Sequence, residues 1–392
     1  MPRRREMKPT LLYHNMLVSA RNGGAEQLAL QIHRHVMSEH PGMGELLVPG
    51  GGATEQLVRA EGFDFQTFRL DWLRSPGYAR RALANLELAV KLRNARGLLH
   101  VHSPYVYGAM QPYLAFSRLK TILHLHLDYT DGQLEWTIKR PPDLLLVCAS
   151  FMRERVARIL AARGAPQAKI VTAINAVDTE RFAPVERAAA KQSMGLDPQR
   201  PVFLMAANLA PHKGQATAIR AMHALLSRGF KPLLRLVGEE RDQSGAFTRE
   251  LHELVAQLGL QEYVQFLGFR TDMPQLLHAA DCLLLPSTHE GLPLSILEAQ
   301  ASNVVVLAAP TAGIPEVIDD GCTGFLIAAD NVEGYAAAAA AVLADEALAQ
   351  RIREAARRQV VANFALRHYC ERISSEYQAL LGPEAAAAKA AT

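Results

Sequence analysis

The chain has 392 residues, 49% hydrophobic and 21% charged, a composition that excludes a disordered chain. No run approaches the roughly 18 apolar residues that a membrane-spanning helix needs, and the length exceeds what one core usually supports, so two domains are expected. Charge is uneven: residues 1–180 hold 23 Lys and Arg against 16 Asp and Glu, a net of +7 against −4 for the remainder, which assigns any anionic partner surface to the first half.

The four cysteines, Cys148, Cys282, Cys322 and Cys370, are far apart and show no zinc or redox spacing, which reads as unpaired thiols in a reducing cytoplasm. The opening MPRRREMKPTLLYHNMLVSA has its apolar segment broken by Tyr13, His14 and Asn15, so it reads as the approach to a first core strand and not as a signal peptide. That strand, Thr10 to Met16, leads into Arg21-Asn22-Gly23-Gly24-Ala25-Glu26 and a helix through Leu28, Ile32 and Val36. A glycine pair at such a turn lets backbone approach a phosphate or substrate, or merely relieves backbone strain; the spacing leaves both open.

Glu45–Val48 reads as a strand and Pro49–Gly52 as a loop. Arg74–Arg96 sets Leu83, Leu86 and Leu92 against Arg80, Arg81, Lys91, Arg93 and Arg96. This is either a peripheral contact with an anionic membrane surface or a solvated surface helix. Two strands end in His-x-His, at His100 and His102 and at His124 and His126. Ligands bind at strand C-termini in doubly wound sheets, which favours His126, last before the loop 127–132, as ligand-facing. The alternative is a core histidine satisfied by backbone. With no acidic third ligand beside the two pairs, metal is not expected. Pro142–Cys148 is a further buried strand, Phe151–Arg163 a helix and Ile170–Ile174 a strand, and Thr179–Arg200, with Pro184 and Pro198, reads as a linker.

The second half restarts the rhythm: strands at Val202–Ala207, Leu233–Val237, Val264–Gly268, Val304–Leu307 and Gly324–Leu326 alternate with helices at Gln215–Ser227, Phe247–Leu258 and Met273–Ala280. A helix is expected to start at Pro315, Asn331–Phe364 is helical, and Leu366–Leu381 is a terminal helix before an alanine-rich tail. The most informative stretch is Asp281–Ser302, DCLLLPSTHEGLPLSILEAQAS. Cys282–Leu285 is an apolar run typical of a strand buried on both faces, and Leu294, Leu297 and Ala301 have helical spacing. A strand feeding a helix N-terminus is a ready anion site. Acids there, Glu290 in the loop and Glu298 one turn into the helix, suit neutral hydroxyls flanking an anion. A nucleotide sugar has that layout. Strand–helix alternation in both halves predicts an α/β protein of two doubly wound parallel sheets facing across a cleft.

These motifs, in order, resemble the retaining family-4 glycosyltransferases of GT-B fold: Glu290-Gly-Leu-Pro with Glu298 as E-x7-E, Val264–Gly268, Ala280-Asp281, Pro286-Ser287, Gly313–Val317, Gly23–Glu26 and Asn175–Asp178. The resemblance implies a Rossmann-like acceptor domain over 1–185 and a nucleotide-sugar domain over 186–365. It also implies a crossover helix over 366–382 returning toward the N-terminal domain, and the tail 383–392 is expected to be disordered. It implies transfer of a hexose-type sugar from a UDP- or GDP-sugar to a glycan or lipid-linked saccharide in cell-envelope polysaccharide synthesis. The setting is the cytoplasm or the inner membrane face, and neither a metal, a cofactor nor a nucleic-acid partner is expected. Glu290, Lys213 and His126 would be catalytic. Glu298, Asn208, Gly291, Leu292, Pro293, Leu294, Ser295, Gly268 and Gly24 would bind the donor. The family commonly has Gly-Arg-Leu where this chain has Ala207-Asn208-Leu209, so one phosphate-facing cation is replaced by a neutral amide. Two rival readings are a non-catalytic glycosyltransferase-like subunit and a nucleotide-sugar epimerase of similar fold.

Overall fold

A computed structural model describes residues 10–14, 24–40, 44–68, 90, 92–93, 95, 97–165, 168–240, 242 and 244–381. It divides into two compact units, Met1–Ile174 with His368–Thr392, and Asn175–Arg367. The expected basic helix over 74–96 falls almost wholly outside the described residues, as do Gly23 and the tail 383–392.

The first unit is built on seven parallel strands: β1 (Thr10–His14), β2 (Gly44–Pro49), β3 (Phe65–Phe68), β4 (Gly97–Val101), β5 (Lys120–Leu125), β6 (Leu144–Val147) and β7 (Lys169–Thr172). They lie in the order β3-β2-β1-β4-β5-β6-β7. The order reverses between β1 and β4, the switch point where a doubly wound sheet opens a crevice. Leu144–Val147 is wholly buried, as an apolar strand covered on both faces must be. The helix Leu366–Leu381 returns to this unit: Tyr377 Oη lies 2.6 Å from His100 Nδ1, Tyr369 Oη lies 3.4 Å from His124 Nε2, and Glu376 pairs with Lys169.

The second unit has six parallel strands: β8 (Val202–Ala206), β9 (Leu233–Val237), β10 (Val264–Gly268), β11 (Cys282–Leu285), β12 (Val305–Ala308) and β13 (Phe325–Leu326). Their order is β10-β9-β8-β11-β12-β13, with the reversal between β8 and β11. Phe203, Met205, Leu234, Leu236, Leu284 and Leu307 from the sheet pack with Ile219, Met222 and Tyr335 from the helices Gln215–Ser227 and Val332–Ala344.

Several expectations are corrected. The second unit starts at Asn175, before the expected boundary at 185. Val177 bridges Ala365, and Arg357 donates to the carbonyls of Thr179 (3.1 Å) and Phe182 (3.2 Å), so this segment is tied into the unit it precedes. The stretch 179–200 is no linker: Arg187–Ser193 is a helix whose Lys191 is buried against Asp281. Asn331–Phe364 is two helices, Val332–Ala344 and Glu346–Asn363, because Asp345 leaves helical geometry and its carboxylate accepts from Leu348 N. Pro315 sits in a three-residue 3-10 turn, Ile314–Glu316. The strand Phe65–Phe68 and the helices Ala53–Ala60, Pro104–Leu114 and Asp131–Thr137 are additional to the expected elements.

Candidate functional site

The site grows from the two strands at the switch point of the second unit. After β8, Ala207–Ala210 lead to a 3-10 turn, Pro211–Lys213, that ends on Gly214 in the left-handed region at φ 81°. After β11 comes Pro286-Ser287-Thr288. The two loops are laced together: Thr288 N donates to His212 O at 2.8 Å, and the Ser287 hydroxyl donates to Lys213 O at 3.3 Å. A Cβ on Gly214 would lie 2.1 Å from the Pro286 carbonyl oxygen, so only glycine allows this approach.

That lacing holds Lys213 against Glu290, with Nζ 2.8 Å from Oε1 and the glutamate side chain only 6% exposed. The cation expected at a diphosphate and the acid expected at a sugar therefore engage each other. The loop carrying Glu290 is pinned on both sides of Gly291 and Leu292. Gly291 O accepts from Gly313 N at 2.9 Å, and Leu292 O accepts from the Asn175 amide at 2.7 Å. Thr311 Oγ1 donates to Ser287 O at 2.8 Å, while the neighbouring Ala312 holds φ 54°, a strained value for a residue with a Cβ.

Pro293 then opens the helix Leu294–Ala301, and no side chain caps it. The first-turn N–H groups of Leu294 and Ser295 are thus left without a side-chain cap. Glu298 is partly buried one turn further on. Burial pushes its carboxyl up to about 7, opposed by the charge of Arg181. Because this value exceeds that of an unfolded glutamate, deprotonation costs the folded state stability as pH rises from about 4.5 toward 7, and the full cost persists above. Glu298→Gln should therefore melt higher than the wild type at pH 8 and converge with it near pH 4.5, the ordinary value of a glutamate carboxyl, in paired calorimetric scans. A constant offset at both pH values would refute the assignment.

On the other side of β8, Asn208 O accepts from the Gln215 amide at 2.9 Å, fixing the turn that precedes Lys213. Gly268, at φ 64° in an irregularity of the β9–β10 pairing, accepts from Gly238 N at 2.8 Å. Glu239 braces the same corner: its carboxylate accepts from Phe269 N at 3.0 Å, and its backbone carbonyl from Leu209 N at 3.1 Å.

Gly24 and His126 belong to the first unit. Gly24 is exposed and starts the helix Gly24–Glu39. His126, expected to face a ligand, is instead buried at 6% exposure. Its Nε2 is 3.0 Å from His102 Nδ1 and its ring stacks on His124 at 4.0 Å, with burial pulling its pKa down to about 3. Alternate strand residues share a face, and Tyr369 of the terminal helix stacks over His124 on that face.

Residues 186–359 match the family described as glycosyl transferases group 1. Most of the second unit therefore resembles a group 1 glycosyl transferase domain. Lys213, Glu290 and Glu298 all lie inside the matched span, whereas Gly24 and His126 do not. The chain is 32% identical over 234 residues to the D-inositol 3-phosphate glycosyltransferase of Nocardia farcinica, covering 58% of this chain and 51% of that one. It is 28% identical over 240 residues to the lipopolysaccharide core biosynthesis mannosyltransferase LpsB of Rhizobium meliloti, covering 59% of this chain and 68% of that one. The chain thus spans about half the length of the first of these relatives. Its fold is that of Anabaena HepE, crystallised with UDP, at a TM-score of 0.78 and 20% identity over 94% of this chain and 99% of that one. Sucrose-phosphate synthase from Thermosynechococcus elongatus gives 0.75 and 17% over 95% and 99%. This is the GT-B fold that the motifs imply.

Within the second unit, two contributors carry no local sequence signal, Arg181 facing Glu298 and Ala312 with its strained backbone, whereas Asn175, the brace of Leu292, belongs to the Asn175–Asp178 motif.

Proposed function

We propose that the chain is a retaining, metal-independent glycosyltransferase that moves a hexose-type sugar from a UDP- or GDP-sugar to a glycan or lipid-linked saccharide. The observation that carries this reading is the Lys213–Glu290 pair held beside an uncapped helix start, with Glu298 one turn beyond. Cleaving a sugar–diphosphate bond builds negative charge on the departing phosphate. Lys213 and the N–H groups of Leu294 and Ser295 are the preorganised donors for that charge. Arrival of the diphosphate draws Lys213 from Glu290 and frees the carboxylate for donor-sugar hydroxyls or for the positive charge developing at the anomeric carbon. Glu298 accepts the ribose hydroxyls. The pair is thus a resting state that the donor itself opens.

A UDP-type donor is supported by the structural neighbours, solved with UDP and with UDP-glucose. A saccharide acceptor of the cell envelope, met at the cytoplasmic membrane face, is supported by the likeness to a lipopolysaccharide core mannosyltransferase and by the basic first half. No described helix is long and apolar enough to cross a membrane. The test is a thermal-shift screen of UDP, GDP, ADP and their common sugars in EDTA. One nucleotide series should raise the melting temperature, and Glu298→Ala should abolish the shift. No response from any series, or a response only with added Mg²⁺, overturns the reading.

A further inference from the structure

The parallel register that pairs Val101 with Leu123 sets the two His-x-His pairs side by side in the first unit. Within each pair the rings stack at 4.0 Å, and across the pairs their centroids lie 5.3 to 5.5 Å apart. We propose that His100, His102 and His124 are a structural site for one divalent first-row transition ion, zinc foremost.

One nitrogen from each of these three buried rings lies within 4.8 Å of the other two. A tetrahedral zinc with bonds of ~2.0–2.1 Å holds its nitrogens about 3.3 Å apart, so the rings would turn out of their stacks to converge on the ion, and a water would take the fourth position. Each ring also has an outer contact of the kind that orients metal-bound imidazoles. His100 Nδ1 meets Tyr377 Oη at 2.6 Å, His102 Nδ1 meets His126 Nε2 at 3.0 Å, and His124 Nε2 meets Tyr369 Oη at 3.4 Å. A second, independent sign is His124 Nδ1, which is buried and has no hydrogen-bond partner among the described residues. A buried polar atom left so costs free energy that a metal bond would recover.

The donor set selects the ion. Three imidazoles without a carboxylate suit zinc and its borderline neighbours, not Mg²⁺ or Ca²⁺. Burial keeps the rings of His100 and His124 neutral, the form in which they bind metal. Each pair alone lacks a third ligand, and the neighbouring strand supplies it. Because two of the outer contacts come from the terminal helix, the ion would also stiffen that helix's attachment to the sheet.

The full chain, prepared without a histidine tag and stripped with chelator, should take up one equivalent of Zn²⁺ and melt higher with it. Co²⁺ should give the intense visible bands of a tetrahedral nitrogen site. His124→Leu should weaken Zn²⁺ binding about 100-fold or more. Absence of tight uptake, or a weak octahedral Co²⁺ spectrum, overturns the proposal, as does a folded His124→Leu that binds Zn²⁺ as the wild type does. If that variant fails to fold, the wild-type Co²⁺ spectrum decides alone. These readouts are independent of sugar transfer, so their failure leaves the proposed function standing.

Discussion

Lys213→Met should lower kcat for sugar transfer by about 100- to 1000-fold, the loss seen when one preorganised donor to a developing oxyanion is removed. The lysine has little freedom to be replaced by a neighbour. Its turn is closed by Gly214, which packs where no Cβ fits, and is tied to the opposite loop through His212 and Ser287. On the proposed reading, Asn208, where the family resemblance expects arginine, offers at most neutral hydrogen bonds, so the charge on the departing diphosphate would rest more heavily on Lys213. The substitution has a second consequence. Glu290 is 6% exposed and paired to this lysine at 2.8 Å, so methionine leaves a buried carboxylate without its cation. Lys213→Met should thus also lower the melting temperature, and adding Glu290→Gln should restore stability without restoring rate. Steady-state kinetics on the donor chosen by the nucleotide screen, run beside thermal melts of the three variants, separate the two effects. A kcat within threefold of the wild type would remove Lys213 from the chemistry.

What could be read in advance divides by range. Cys282–Leu285 and Leu144–Val147 were legible because a parallel strand covered on both faces must be an unbroken apolar run. The loops that carry Lys213 and Glu290 were legible as loops because each directly follows such a strand, and Glu298 was legible as helical from the spacing of Leu294, Leu297 and Ala301. Phe65–Phe68 was not: it is an edge strand of four residues, two of them polar, that neither alternates nor runs apolar. His126 marks the limit of a positional rule. That it shares a face with His124 follows from strand geometry, but what covers that face is Tyr369, from the far end of the chain. Likewise, Arg187–Ser193 looked like linker because it is short and lies between prolines, and its place in the fold is set by an acid distant in sequence.

That acid carries the largest expected loss of stability. Asp281→Ala should destabilise the second unit by about 3–5 kcal/mol, the cost of breaking a buried pair by removing one partner. Asp281 Oδ2 accepts from Lys191 Nζ at 2.7 Å and from Val202 N at 2.7 Å, while Arg187 stands at 3.8 Å from Oδ1. Lys191 is 5% exposed, and without the carboxylate its ammonium keeps only the carbonyls of Arg200 at 2.9 Å and Pro198 at 3.4 Å. Alanine therefore strands a charge and leaves the N–H of Val202, the first residue of β8, without its acceptor. Since β8 leads to Lys213, the loss should reach donor binding as well. Lys191→Met in the same chain tests the cause, because removing the stranded ammonium should recover most of the lost stability. Chemical denaturation of wild type, single and double variants reads this directly. If the double variant is no more stable than Asp281→Ala, the buried charge is not the origin of the loss, and the lost hydrogen bond at Val202 is.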